Sequence, residues 1–301
     1  MRAAAAGHDR AVAALLSAGA DPNLKDNDGG TALMRAARAG DDRAVSTLLS
    51  AGADPNLKSK DGRTALMRAA RAGDDRAVSA LLSAGAAPNQ KSKDGRTALM
   101  RAARSGDDRA VSALLSAGAD PNLKDGDGRT ALMRAARTGD DRAVNVLLSA
   151  GAGPNLKNND GHTALMRAAR AGDDRAVSAL LSAGANPNLK SKDGRTALMR
   201  AARAGDDRAV SALLNAGAAP NAMHSMGLTA LMFAAESGHV EAVRALLASG
   251  ADPKIRLADG RTVSDFAKDY PQVLEELNRS MRRSDLSKTA TQTREALTDV
   301  H

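Results

Sequence analysis

The residues of this chain able to act as acids, bases, nucleophiles or metal ligands are few in kind. Histidine occurs at His8, His162, His224, His239 and His301, and no two stand at a ligand spacing such as i, i+4 on one helix face. There is no Cys, which excludes thiolate nucleophiles, disulfides and thiolate-bound zinc. Paired carboxylates do occur, as Asp74-Asp75 and its counterparts, a pattern that in an enzyme would invite a general acid beside a general base. A pair at the start of a helix has a simpler task, to meet the free N–H groups and the positive dipole end. An active site needs one constellation that converges once. Nearly every polar group here returns at the same place in successive copies of one unit, and no glycine-rich phosphate loop is present. Catalysis, a cofactor and a metal site are therefore not expected.

Arginine is the residue with most chemical capacity. Arg38, Arg71, Arg104, Arg137, Arg170 and Arg203 recur at one place, and Arg63, Arg96, Arg129 and Arg195 at another, where His162 stands in one copy. Lys58, Lys91, Lys124, Lys157 and Lys190 form a third series. Lys and Arg number 43 against 35 Asp and Glu, a formal charge of +8, which invites an acidic partner but is modest for a dedicated nucleic-acid binder. Two readings stay open. The cations form a basic stripe for an acidic protein surface or another polyanion. Alternatively they complement helix C-termini and pair with the Asp residues of their own or the next unit, contacts worth about 0–1 kcal/mol each when exposed.

The elements that carry these residues are copies of a 33-residue unit. Thr-Ala-Leu recurs at Thr31, Thr64, Thr97, Thr130, Thr163, Thr196 and Thr229, and the next step lands on Thr262. Such a period predicts a solenoid in which each unit buries its face only against its neighbours. The aromatic content of 1%, confined to Phe233, Phe266 and Tyr270, fits many thin Ala/Leu/Val/Met cores better than one large core. In unit 59–91 the tip Lys60-Asp61-Gly62-Arg63 reads as a tight turn. Thr64 caps a first helix whose inner face is Leu66, Met67, Ala69 and Ala70, with Arg68 and Arg71 on another face. Gly73 ends that helix, and Asp74 and Asp75 open a second that buries Val78, Leu81 and Leu82. Gly85 closes the second helix, and Pro88 lies in an extended return. The Met series from Met34 to Met232 is expected to be core packing.

In the stretches Gly62 to Ala70, Gly73-Asp74, Val78 to Leu82 and Gly85 to Asn89 the unit resembles the ankyrin repeat. The resemblance spans about residues 1–270, and its fold implication is an all-α repeat solenoid of helix-turn-helix units with hairpin-like tips. Ala65 stands where the family has Pro, and Met67 where it has a His that tethers neighbouring repeats, so a hydrogen-bond ladder is expected to be replaced by a Met ladder. The expected organisation is a partial unit at 1–25, seven full units over 26–256, a capping unit at 257–282 and a polar, disordered tail at 283–301. Near-identical units further predict roughly independent repeat energetics.

The family's groove and tips bind partners, which makes the two Arg series, His162, His224, Met226, Phe233 and Glu236 the expected partner-binding residues. Variation collects at the tips, which read DNDGG, SKDGR, SKDGR, DGDGR, NNDGH, SKDGR and HSMGL. In unit 224–256, Phe233 and Glu236 replace the usual Arg pair, beside His224, Met226 and Leu228. This is either a mixed apolar anchor for a partner or an older repeat adapted to its cap. The implied function is a non-enzymatic protein–protein interaction scaffold, a monomer, whose partner presents an acidic surface. The alternative is a nucleic acid or acidic polymer held by the Arg/Lys stripe, disfavoured because aromatics for base stacking are missing from every unit before the C-terminal end of the array, and because an Asp at nearly every tip opposes phosphate. No apolar run approaches the roughly 18 residues of a membrane span. As written the chain is expected to be cytoplasmic and, from its Ala/Gly/Arg/Asp-rich composition, bacterial. Met1 occupies the place of Met34, so the chain starts inside a repeat. It has either a truncated cap or a true start upstream with a further segment of more repeats or a signal peptide, the last of which would make a secreted or periplasmic location the expectation.

Overall fold

The computed structural model describes residues 1–282, and the tail expected to be disordered lies outside the described residues. The chain divides into two compact units, Met1–Ala164 and Leu165 onward. The first begins with α1 (Arg2–Ala5) and α2 (Asp9–Ser17). It continues as the pairs α3 (Ala32–Ala39) with α4 (Asp42–Ser50), α5 (Ala65–Ala72) with α6 (Asp75–Ser83), α7 (Ala98–Ser105) with α8 (Asp108–Ser116), and α9 (Ala131–Thr138) with α10 (Asp141–Ser149). The second holds α11 (Ala164–Ala171) from Leu165 on with α12 (Asp174–Ser182), α13 (Ala197–Ala204) with α14 (Asp207–Asn215), and α15 (Ala230–Glu236) with α16 (Val240–Ala248). It closes on α17 (Val263–Phe266) and a helix α18 over 271–282, in which Val273 and Leu277 are fully buried. No strand occurs among the described residues, and the chain is an all-α repeat solenoid.

Local chemistry defines each pair. In α5 the Thr64 hydroxyl accepts from Met67 N at 3.3 Å, and Gly73 ends the helix at φ 74°, in the left-handed region. Asp74 then caps α6 by accepting from Ala77 N at 3.0 Å, while Asp75 sits in the first turn. This accounts for the carboxylate pair without any catalytic role. First helices pack side by side, α3 on α5 on α7 on α9 in the first unit and α13 on α15 in the second, and second helices do likewise. Leu66 and Met67 are 1% exposed, and Ala69, Ala70, Val78 and Leu81 are fully buried, so the Met series is core. Leu82, expected inside, is only half-buried.

The repeats remain tied by hydrogen bonds, contrary to expectation, through residues other than the absent His. Asn122 Nδ2 donates to Gly151 O at 3.1 Å while its Oδ1 accepts from Gly153 N at 2.8 Å, and Asn56 repeats the pattern with Gly85 and Ala87. The lysines join this ladder: Lys91 Nζ donates to Lys124 O, and Lys124 Nζ to Lys157 O, each at 3.0 Å. Tips stack too, with Lys93 N donating to Asp61 O at 3.0 Å and Gly126 N to Asp94 O at 3.1 Å. That stacking explains Gly95 (φ 73°), where a Cβ would lie 2.7 Å from Gly126 N.

Candidate functional site

Each first helix of the regular repeats carries two arginines three residues apart, and the fold gives them different surroundings. The outer series, Arg38, Arg71, Arg104, Arg137, Arg170 and Arg203, is exposed in the last helical turn. The inner series, Arg35, Arg68, Arg101, Arg134, Arg167 and Arg200, turns toward the tip, and Arg101 and Arg134 are 7% exposed. The inner residues were not singled out from the sequence, because a wheel places both series on the polar face. The signal available was the residue nine positions earlier, at the start of each tip. Arg35 Nη2 donates to Asp26 at 2.5 Å, Arg134 to the buried Asp125, and Arg101 Nη2 to Ser92 Oγ at 3.2 Å. Where the inner Arg becomes Phe233, the tip residue becomes His224, and the rings meet edge-on at 5.5 Å.

The tip arginines are engaged by the aspartate two residues before them: Arg63 with Asp61 at 2.9 Å, Arg96 with Asp94 at 3.0 Å, Arg129 with Asp127 at 2.9 Å and Arg195 with Asp193 at 3.2 Å. His162 is half-buried, its backbone N–H donating to Asn158 Oδ1 at 2.7 Å. The helix-capping Asp pairs do not neutralise the outer arginines, as one sequence reading held. Asp42, Asp75 and Asp174 stand 3.7 Å from Arg76, Arg109 and Arg208, arginines of the second helices that are too exposed for the contact to count for much. Arg38, Arg71 and Arg104 have no hydrogen bond or ion pair among the described residues.

The result is a set of basic recesses on the first-helix and tip face. One of about 280 Å³ is lined by Arg38, Arg63, Arg68, Arg71 and Arg101 over Met67. The next, of about 250 Å³, is lined by Arg63, Arg71, Arg96, Arg101, Arg104 and Arg134 over Met100. No carboxylate lines either. Burial, opposed by Asp94 and reinforced by Arg63, Arg96 and Arg71, pushes the Arg101 guanidinium down to about 10. Burial likewise lowers Arg68, with Arg63, Arg35 and Arg38 adding repulsion, and Arg68 Nε is buried without a hydrogen-bond partner. In the second unit a recess of about 460 Å³ is lined by Arg170, Arg195, Arg200, Arg203 and Phe233.

Two residues expected as surface anchors are turned inward. Phe233 is 3% exposed, with the guanidiniums of Arg195 and Arg203 5.7 and 5.8 Å from its ring centre. His224 is 6% exposed, and its Nδ1 accepts from Leu228 N at 3.1 Å and Met226 N at 3.3 Å. A partner at this end would meet Met226, 74% exposed, and Glu236 instead. Burial, then Arg195, lowers the His224 pKa from its ordinary value. The described residues contain no cluster of His, Cys, Asp or Glu able to hold a metal ion, and no helix among them is long and apolar enough to cross a membrane.

A comparison with curated proteins finds no match. A family model described as ankyrin repeats (3 copies) matches residues 1–92, 33–125, 99–191 and 165–256. Ankyrin repeats are in general protein-interaction modules. Serial helix pairs, left-handed glycine stops and four overlapping matches agree, and the chain belongs to the ankyrin-repeat family.

Proposed function

We propose that this chain is a non-enzymatic scaffold that binds a protein partner of acidic surface through its first-helix face and tips. The observation that carries this reading is the arginine surplus of Arg38, Arg71 and Arg104. These side chains are exposed, lie beside further guanidiniums and have no carboxylate of their own. A fold that merely needed soluble cations would gain as much from arginines paired with Asp, as at Arg63 and Asp61. The partner-facing residues are then Arg38, Arg71, Arg104, Arg137, Arg170 and Arg203, with the tip arginines, His162, Met226 and Glu236 at the margins. His224 and Phe233 act from beneath as supports.

The test is affinity capture with the full chain and with an Arg71→Glu/Arg104→Glu variant, with and without nuclease, washed at low and high salt. One protein recovered near equal stoichiometry, resistant to nuclease and lost from the variant, is the expected result. Recovery of nucleic acid, with all binding abolished by nuclease, would replace the scaffold reading with polyanion binding, whose mark is a steep salt dependence.

A further inference from the structure

The two recesses of the first unit share Arg63, Arg71 and Arg101, so they follow one another along the stack of α3, α5 and α7. Each holds a crowd of guanidiniums with no lining carboxylate, over a floor containing a buried methionine, Met67 or Met100. Their volumes, about 280 and 250 Å³, are ample for an acidic side chain and too small for a folded surface. Arginine offers five donors in a planar fork that matches a carboxylate two bonds at a time. We propose that these recesses are carboxylate sites in series, which take acidic side chains three residues apart on an extended segment of the partner.

The spacing follows from the packing. Adjacent packed helices lie about 8–10 Å apart. A β-strand returns to the same face after about 6.7 Å, too short a step. A polyproline II segment returns every third residue, after about 9.3 Å, which matches. A helix offers i and i+7 at about 10.5 Å, but its backbone carbonyls are already bonded. The polyproline II backbone leaves its carbonyls free, and the outer arginines have more donors than one carboxylate can occupy. A nucleic acid carries a charge about every 3.4 Å along each strand, far more closely than the recesses repeat. No aromatic side chain lines either recess to stack its bases. Discrete acids set one repeat apart match the recesses instead.

This inference rests on the scaffold reading and sharpens it. The experiment uses the full chain and fluorescent peptides containing three glutamates, either every third residue with proline in the spacers, or contiguous, or at i, i+7 in a helical host. Binding is read by fluorescence anisotropy at low and moderate salt. The spaced extended peptide is expected to bind at least tenfold tighter than the other two. Arg71→Ala/Arg104→Ala, exposed positions whose removal leaves the circular dichroism unchanged, is expected to weaken it at least tenfold. Arg104→Lys, which keeps the charge and loses the fork, retains only part of the affinity. Equal binding of all three peptides, indifference to the double variant, or displacement of the spaced peptide by a poly-dT oligonucleotide at lower concentration than by itself would overturn the inference. If none of the peptides binds while a captured protein still depends on Arg71 and Arg104, the carboxylate spacing is wrong and the scaffold reading stands.

Discussion

Arg134→Ala offers the most direct measure of what the inner arginines do. Asp125 is 1% exposed at its side chain, and Arg134 only 8%. The Asp125 carboxylate accepts from Arg134 and from two backbone N–H groups, Asp127 N at 3.0 Å and Arg129 N at 2.8 Å. Deleting one partner of a buried ion pair costs about 3–5 kcal/mol, because the other charge is stranded. Here the two backbone donors remain, and Arg96 Nε lies 3.8 Å away. The cost therefore falls near the low end, about 3 kcal/mol, or roughly a hundredfold in an opening equilibrium. Asp125→Ser is the contrast. Ser59, Ser92 and Ser191 hold this position in other repeats, and in the Ser92 copy Arg101 uses Ser92 Oγ at 3.2 Å and Asp94 at 3.6 Å. Asp127 stands where Asp94 does, so Asp125→Ser should cost under about 1 kcal/mol. Native-state hydrogen exchange suits the question, since a long array need not melt in one step. Amides of the 125–138 segment should exchange about a hundredfold faster in Arg134→Ala and within severalfold of wild type in Asp125→Ser. Equal acceleration in both, or none in Arg134→Ala, would refute the account of Asp125 as a buried charge dependent on Arg134.

Three further outcomes follow from local geometry. Asn122→Ala removes two inter-repeat bonds, to Gly151 O and from Gly153 N. It should cost about 1–2 kcal/mol, seen as a lower urea midpoint with unchanged helical dichroism, and no shift would mean that the Asn ladder is decorative. Gly95→Ala forces a Cβ to 2.7 Å from Gly126 N at φ 73°, whereas Gly85→Ala meets nothing at φ 83°. The second should cost only the left-handed backbone penalty of about 1–2 kcal/mol, the first measurably more, and equal losses would argue against tip-to-tip packing. His224, lowered by burial and by Arg195, should titrate below 6.5 by NMR. With a depressed folded pKa, its contribution is fully present above the unfolded value and is lost as pH falls toward the folded one, because the protonated ring can no longer accept from Leu228 N. A His224 midpoint at or above 6.5 would contradict this.

Much of the architecture was legible because its causes are local and repeated. Thr64, Gly73 and Asp74 each act within one turn of their own position, so a single unit discloses the caps, and the period multiplies them. What stayed hidden depends on which way a side chain turns on a shared face. Arg68 and Arg71 are three residues apart, and only the stacked tips decide that the first is half-buried and the second exposed. Lys91, Lys124 and Lys190 were hard to place for the same reason, since their ammonium groups reach the backbone of the next repeat. His224 and Phe233 stand where other units carry a polar tip residue and an Arg, which left an apolar anchor and a repeat adapted to its cap both open. Their spacing of nine residues, the same as Asp125 to Arg134, was the available sign that they face each other.

The first tip residue also explains why variation there is compatible with a constant turn. Asp26 Oδ1 accepts from Gly30 N at 2.8 Å, Ser59 Oγ from Arg63 N at 3.2 Å, Asn158 Oδ1 from His162 N at 2.7 Å and His224 Nδ1 from Leu228 N at 3.1 Å. Every residue used is an acceptor for the N–H four positions on, and what changes is the charge shown to the inner arginine. Asp26 and Asp125 balance Arg35 and Arg134, whereas Ser59 and Ser92 leave the charge of Arg68 and Arg101 to the recesses and the tip Asp. The tip residue thus sets how basic the adjoining recess is, without itself being exposed. Ser92→Asp should keep the turn, as Asp125 does, and neutralise Arg101 from beneath. Acidic-peptide affinity should then fall about threefold to tenfold, equivalent to roughly 0.7–1.4 kcal/mol, with hydrogen exchange of the tip unchanged. Unchanged affinity in a folded Ser92→Asp variant would mean that the buried tip residues tune stability alone and that only the outer arginines meet the partner.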